Sequence, residues 1–110
     1  MKTIYEAYNE ACRGINIKEN EKIVLECKNI HMCYKFALDV PGANIEAHEK
    51  IIIENKSPMY CYFFAKYAKN SNKEELFKVI LEFGELVHIR MYLENINFDK
   101  EKYINYLLFI

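Results

Sequence analysis

Apolar and polar positions along this chain recur with a helical spacing that is itself repeated. Cys61, Phe64, Ala65 and Ala68 fall at i, i+3, i+4 and i+7, and Cys33, Phe36, Ala37 and Val40 fall on the same spacing one interval earlier. That spacing places four side chains on one face of a helix. Each stripe is followed, after a break, by an apolar triplet: Ile51-Ile52-Ile53 and Val79-Ile80-Leu81, with Ile23-Val24-Leu25 before them and Leu107-Leu108-Phe109 after. The pattern predicts pairs of short helices, the first of each pair carrying the stripe and the second ending in the triplet.

Residues 27–54 and 55–82 align without a gap and share ten of 28 positions. RGINIKENEKIVLE, which closes the preceding segment, matches PGANIEAHEKIIIE in the same register, and the last segment matches in pattern. Four units therefore tile the chain at 1–26, 27–54, 55–82 and 83–110, with an aromatic residue recurring at Tyr8, Phe36, Phe64 and Tyr92. Ser57-Pro58 reads as a helix start, since serine caps free N–H groups and proline is preset for the first turn. Pro41-Gly42 breaks the chain, and Asn44 and Asn72 are natural caps for the second helices. Glu46/Lys50 and Glu74/Lys78 are expected to pair at i, i+4 on a solvated face.

Helices this short are marginal alone, so each must pack on its partner and on the next unit. The expected fold is all-α: about eight helices in four antiparallel hairpins, stacked into a small right-handed solenoid as a single domain. On these repeats the chain resembles a short HEAT-like α-solenoid. The resemblance covers essentially the whole sequence and implies a binding scaffold.

Composition narrows the function. Apolar residues make up 52% and charged residues 28%, a globular mix. Fifteen basic side chains against 16 acidic ones lack the basic excess of a dedicated nucleic-acid or anionic-membrane binder. Unit three alone leans basic, through Lys56, Lys66, Lys69, Lys73 and Lys78, which is too few for a continuous track along a nucleic acid. No apolar run approaches the ~20 residues that span a bilayer, and Glu6 and Glu10 interrupt the segment where a signal peptide is apolar. A cytoplasmic protein with reduced thiols is expected. Heavy use of Lys, Asn, Ile, Glu and Tyr points to an AT-rich genome, such as that of a low-GC bacterium or its phage.

Candidate chemistry is thin. Cys27, His31 and Cys33 lack the paired spacing of a four-ligand zinc site. Cys33 falls on the core stripe, where Cys61, Tyr5 and Ile89 stand in the other units. His48 and His88 occupy apolar or mixed positions and read as core or boundary residues. Glu26, Glu54 and Glu82 recur at the ends of the second helices and read as packing or solubility positions. No phosphate loop, HExxH or GxSxG appears, so no catalytic residue, metal or cofactor is assigned.

Two apolar features point to partners. Opposite the core stripe, Met59 and Phe63 of unit three and Val87 and Met91 of unit four, with Tyr62 beside them, are expected to form an exposed patch across adjacent hairpins. Methionine and aromatic side chains are common interface anchors. The chain also stops at YINYLLFI, where Tyr106, Leu108, Phe109 and Ile110 give an apolar end that a second copy or another protein would cover. The expected function is noncatalytic protein binding, of the kind used by a phage or bacterial inhibitor such as an anti-CRISPR protein. A structural homodimer or adaptor and a weak nucleic-acid-binding repeat are the alternatives.

Overall fold

A computed structural model describes residues 2–103. Seven α-helices follow one another: α1 (Ile4–Cys12), α2 (Ile17–Cys27), α3 (Ile30–Asp39), α4 (Ile45–Asn55), α5 (Pro58–Tyr67), α6 (Lys73–Phe83) and α7 (Leu86–Asn95). A 3-10 helix covers Glu101–Tyr103, and no strand occurs among the described residues. Helices α2, α4 and α6 begin at residues 17, 45 and 73, and α3, α5 and α7 at 30, 58 and 86, so both series keep a 28-residue interval. Against the expected eight or so helices, the described residues hold seven α-helices and one 3-10 helix. The latter begins one interval after the start of α6, and the self-association residues Tyr106, Leu108, Phe109 and Ile110 lie outside the described residues.

Local chemistry sets the ends of these helices. Asn29, Asn44, Ser57 and Asn72 each accept, through the side chain, the backbone N–H three residues on, at 3.0, 3.1, 3.4 and 3.2 Å. Each thereby satisfies one donor that a helix start leaves free. Between the helices of a pair the chain turns through a left-handed residue at Gly14, Gly42 and Asn70. Glycine and asparagine are the residues that tolerate this conformation best. Between pairs, Lys28 and Lys56 take the same conformation, whereas Gly84 is extended at the equivalent place. A Cβ on Gly84 would lie 2.6 Å from the carbonyl oxygen of Ile80 and 3.2 Å from Cβ of His88. Gly84→Ala is therefore expected to cost about 1–3 kcal/mol by shifting the α6–α7 joint, read as a lowered urea midpoint.

Each of α1, α3 and α5 packs most extensively on the helix that follows it. Odd helices also touch the next odd helix, and even helices α2, α4 and α6 the next even one. Two layers result, in a body of 52 × 20 × 15 Å. The recurring aromatics Phe36, Phe64 and Tyr92 are fully buried between the layers, while Tyr8, in the first helix, is half-buried. Tyr5 is 62% exposed rather than in the core. Ala7 and Ala11 make the inner face of α1 instead. The core falls into two clusters divided within α3 and α4. Phe36 and Val40 belong to the first, and Ala37 and Ile52 to the second.

Candidate functional site

The two layers expose different surfaces. On the even helices the solvated positions are largely lysine and glutamate, including Lys18, Lys22, Glu46, Lys50, Glu54, Lys78 and Glu82. The expected Glu74/Lys78 pair is replaced: Lys78 pairs with Glu75 at 2.9 Å, and Glu74 pairs with Lys102. Glu46 and Lys50 form no ion pair within the described residues. Apolar exposure gathers on the odd helices. Of eight large exposed apolar side chains among the described residues, six lie there: Tyr5 on α1, Leu38 on α3, Met59 and Tyr67 on α5, and Leu86 and Val87 on α7.

The expected patch is distributed across this layer in depth. Met59 and Val87 are exposed, at 36% and 55%, and Leu86, which the sequence reasoning missed, is 62% exposed beside them. Phe63 and Met91 are half-buried and pack on the core. Tyr62 is 6% exposed and belongs to the core, its ring 5.8 Å from Phe63 and 6.4 Å from Tyr92. The expectation that Tyr62 stands at the surface is thus corrected. The α5 helix is apolar nearly all round and buries the face carrying Tyr62 against α7. Half-buried Tyr34 and Tyr60 extend the patch toward α3, with ring centroids 5.8 Å apart, and Nδ1 of His31 lies 3.0 Å from the Tyr60 hydroxyl.

The charges on this face are unevenly matched. Lys35 is 3.3 Å from Asp39, and Nε of Arg90 donates to Glu94 at 2.9 Å. Lys66 has no carboxylate partner among the described residues. Its ammonium lies 5.7 Å from the Tyr62 ring and 5.5 Å from the Tyr67 ring, as cation–π contacts do.

Beneath the surface, carboxylates tie the even helices together. The Asn44 N–H at the start of α4 donates to Oε2 of Glu21 on α2 at 2.7 Å, and the Asn72 N–H at the start of α6 donates to Oε2 of Glu49 on α4 at 2.6 Å. Both glutamates are buried, which pushes the Glu49 carboxyl up. Glu21 also takes a hydrogen bond from Nε2 of His48 at 2.9 Å. His48 is fully buried and stacked on Phe36 at 5.1 Å, and its Nδ1 has no partner among the described residues. Burial holds the imidazole below its ordinary pKa, against the opposing effect of Glu21. This is the core histidine that the sequence implied. The carboxylate that holds it went unread, although Glu21 and Glu49 stand one repeat apart.

The remaining candidates are placed as follows. Cys33 and Cys61 are fully buried, and burial pushes their thiols up to about 11 and about 12. Thiols held in that state are poor nucleophiles at neutral pH. Cys27 and His31 are exposed, and among the described residues no three His, Cys, Asp or Glu side chains gather as a metal would require. His88 is half-buried and caps α7, its Nδ1 accepting the Glu85 N–H at 2.9 Å. Glu26, Glu54 and Glu82 are all exposed.

No helix among the described residues is long and apolar enough to cross a membrane. Comparison with protein-family models, with characterised proteins and with solved structures found no match to this chain.

Proposed function

We propose that the chain is a noncatalytic protein-binding module: a short right-handed array of four helical hairpins in the manner of HEAT-like solenoids, working in the cytoplasm of a bacterial host. The unequal exposure of the two layers carries this reading. Water tolerates scattered apolar side chains, but a patch that runs from Met59 across Phe63 and Met91 to Leu86 and Val87 marks a surface that meets another apolar surface. The even layer supplies a charged, soluble back. A module built this way acts by occupying a partner's surface, which is how an inhibitor works. An anti-CRISPR or other counter-defence protein is one such inhibitor.

The test is affinity capture from a low-GC bacterial lysate, with and without nuclease, read by mass spectrometry. Met59→Glu with Val87→Glu serves as the control surface. The expected result is one protein captured in both arms and lost with the double variant, whose unfolding midpoint stays that of the native chain because both positions are exposed. Capture that disappears with nuclease would favour nucleic acid instead. Absence of capture, together with a dimeric mass, would favour a self-contained homodimer.

A further inference from the structure

The α1–α2 hairpin is tied together internally and fastened to the rest of the molecule at few points. Within it, the Asn20 side chain donates to the Ile15 carbonyl at 2.9 Å, and Lys2 donates to both Glu10 and Asn20 at 2.8 Å. Its fully buried apolar contribution to the first core cluster is small, Ala7, Ala11 and Val24, whereas the second cluster is built on Phe64, Phe77 and Tyr92. Among the described residues, the side-chain hydrogen bonds that cross from the hairpin to α3 and α4 are those of Tyr8 to Asp39, of the Cys33 thiol to the Val24 carbonyl, and of the Asn44 N–H and His48 Nε2 to Glu21. Glu21 thus latches the hairpin to a histidine, the side chain that titrates nearest neutral pH. The surroundings of that histidine hold one proton and make no place for a second. Phe36 of α3 stacks on the ring, Glu21 of α2 is the one ionisable group acting on it, no charged group of α5 or α6 does so, and Nδ1 has no partner among the described residues. A second proton would create a buried N–H donor without an acceptor.

We propose that α1–α2 opens as a unit in mild acid, with the Glu21–His48 contact as its latch, and uncovers the face of α3 that carries Met32, Cys33 and Phe36. The sign follows from burial, which holds the closed imidazole below 6.5. Above pH 6.5 neither the closed nor the open state carries the second proton. Below it the hydrated ring of the open state takes up the proton first, so opening is favoured by up to about tenfold per pH unit. Glu49 acts in the opposite direction and on the next joint, between α4 and α6, because burial raises its carboxyl. Acid therefore loosens the first hairpin without loosening the second. Two cysteines report on the two joints separately. Both are fully buried, Cys33 beneath α2 and Cys61 in the second cluster.

Labelling of the full chain with dithiodipyridine, which reacts with thiols in mild acid, tests this when each cysteine is followed by peptide mapping. Between about pH 7.5 and about pH 5.5 the Cys33 rate, corrected by that of exposed Cys27, is expected to rise about threefold or more while the Cys61 rate stays level. Hydrogen exchange gives the second reading: protection of residues 4–27 falls over the same interval and that of residues 73–95 does not. His48→Gln keeps an N–H to offer Glu21 and does not titrate, so it is expected to abolish the rise. His48→Leu, which installs the residue found one repeat later as Leu76, is expected to do the same, and both variants retain His31 and His88. Cys33 and Cys61 rising together would show that the molecule opens only as a whole. A rise at Cys33 that persists in both variants would show that His48 is not the latch. Either result, or a level Cys33 rate in the native chain, overturns the proposal.

Discussion

Phe77→Ala is expected to lower the free energy of unfolding by about 3–5 kcal/mol, the cost of removing a fully buried aromatic side chain. The ring is fully buried and packs against three other aromatics, with centroids 5.0 Å from Tyr92, 5.1 Å from Phe98 and 4.7 Å from Tyr103. Edge-to-face and offset pairs of this kind add to the area they bury. Tyr92 is in turn tied to the start of α6, its hydroxyl donating to the Lys73 carbonyl at 2.6 Å. Removing Phe77 therefore opens a void where α6, α7 and the 3-10 helix meet. A domain of this size is stable by roughly 5–15 kcal/mol in all, so the loss is a large fraction of the total. A urea titration followed by circular dichroism measures it. A loss below about 1 kcal/mol would mean that Phe98 and Tyr103 close over the gap and that the cluster does not hold this end of the molecule.

Phe77 also marks where the repeat changes character. One interval apart, Glu21, Glu49 and Phe77 hold the same place on α2, α4 and α6. The first two clamp the N–H that opens the next even helix, while the third turns to aromatic packing. The 28-residue rhythm was legible because identical spacing and identical caps recur in letters, as at Asn44 and Asn72. Helix positions and the burial of Phe36, Phe64 and Tyr92 follow from it directly. The role of Glu21 was not legible, because a glutamate beside lysine and asparagine has the composition of a solvated face; only the neighbouring helix reveals that it is covered. The exposure of the candidate patch was half legible for a related reason. Periodicity separates the two faces of α5, but Tyr62 lies on their boundary, and whether a boundary residue is covered depends on how close α7 approaches. Tyr5 failed differently: the repeat predicts a buried position, but Ala7 and Ala11 form the inner face of α1 and leave Tyr5 outside it.

The two carboxylate clamps look alike and are expected to respond differently to substitution and to pH. Glu21→Ala leaves the buried His48 Nε2–H without its acceptor and removes the part-buried clamp on the Asn44 N–H, and an unsatisfied buried donor costs about 1–3 kcal/mol. The expected loss is about 2–4 kcal/mol in a urea titration at pH 7. Glu49→Gln keeps an oxygen to accept the Asn72 N–H and removes a buried charge, so its stability should stay within about 1 kcal/mol of the native chain. Protonation separates the clamps further. The pKa of folded His48 lies below the ordinary 6.5, chiefly through burial. Above pH 6.5 neither state binds this proton and the histidine's contribution is complete. As pH falls toward the folded value the unfolded chain takes up the proton first, and stability drops by up to about 1.4 kcal/mol per pH unit. Glu49, raised from 4.5 by burial, has the opposite sign: its contribution is complete below 4.5 and is lost as pH rises through the folded value. His48→Leu places in the first clamp the residue that the second already carries as Leu76. It is expected to flatten the decline in stability just below pH 6.5 while leaving the Glu21–Asn44 bond in place. Chemical denaturation of the native chain and His48→Leu at a series of pH values decides this. An unchanged slope below pH 6.5 would show that His48 takes up its proton as readily folded as unfolded, and that burial does not control this joint between α2 and α4.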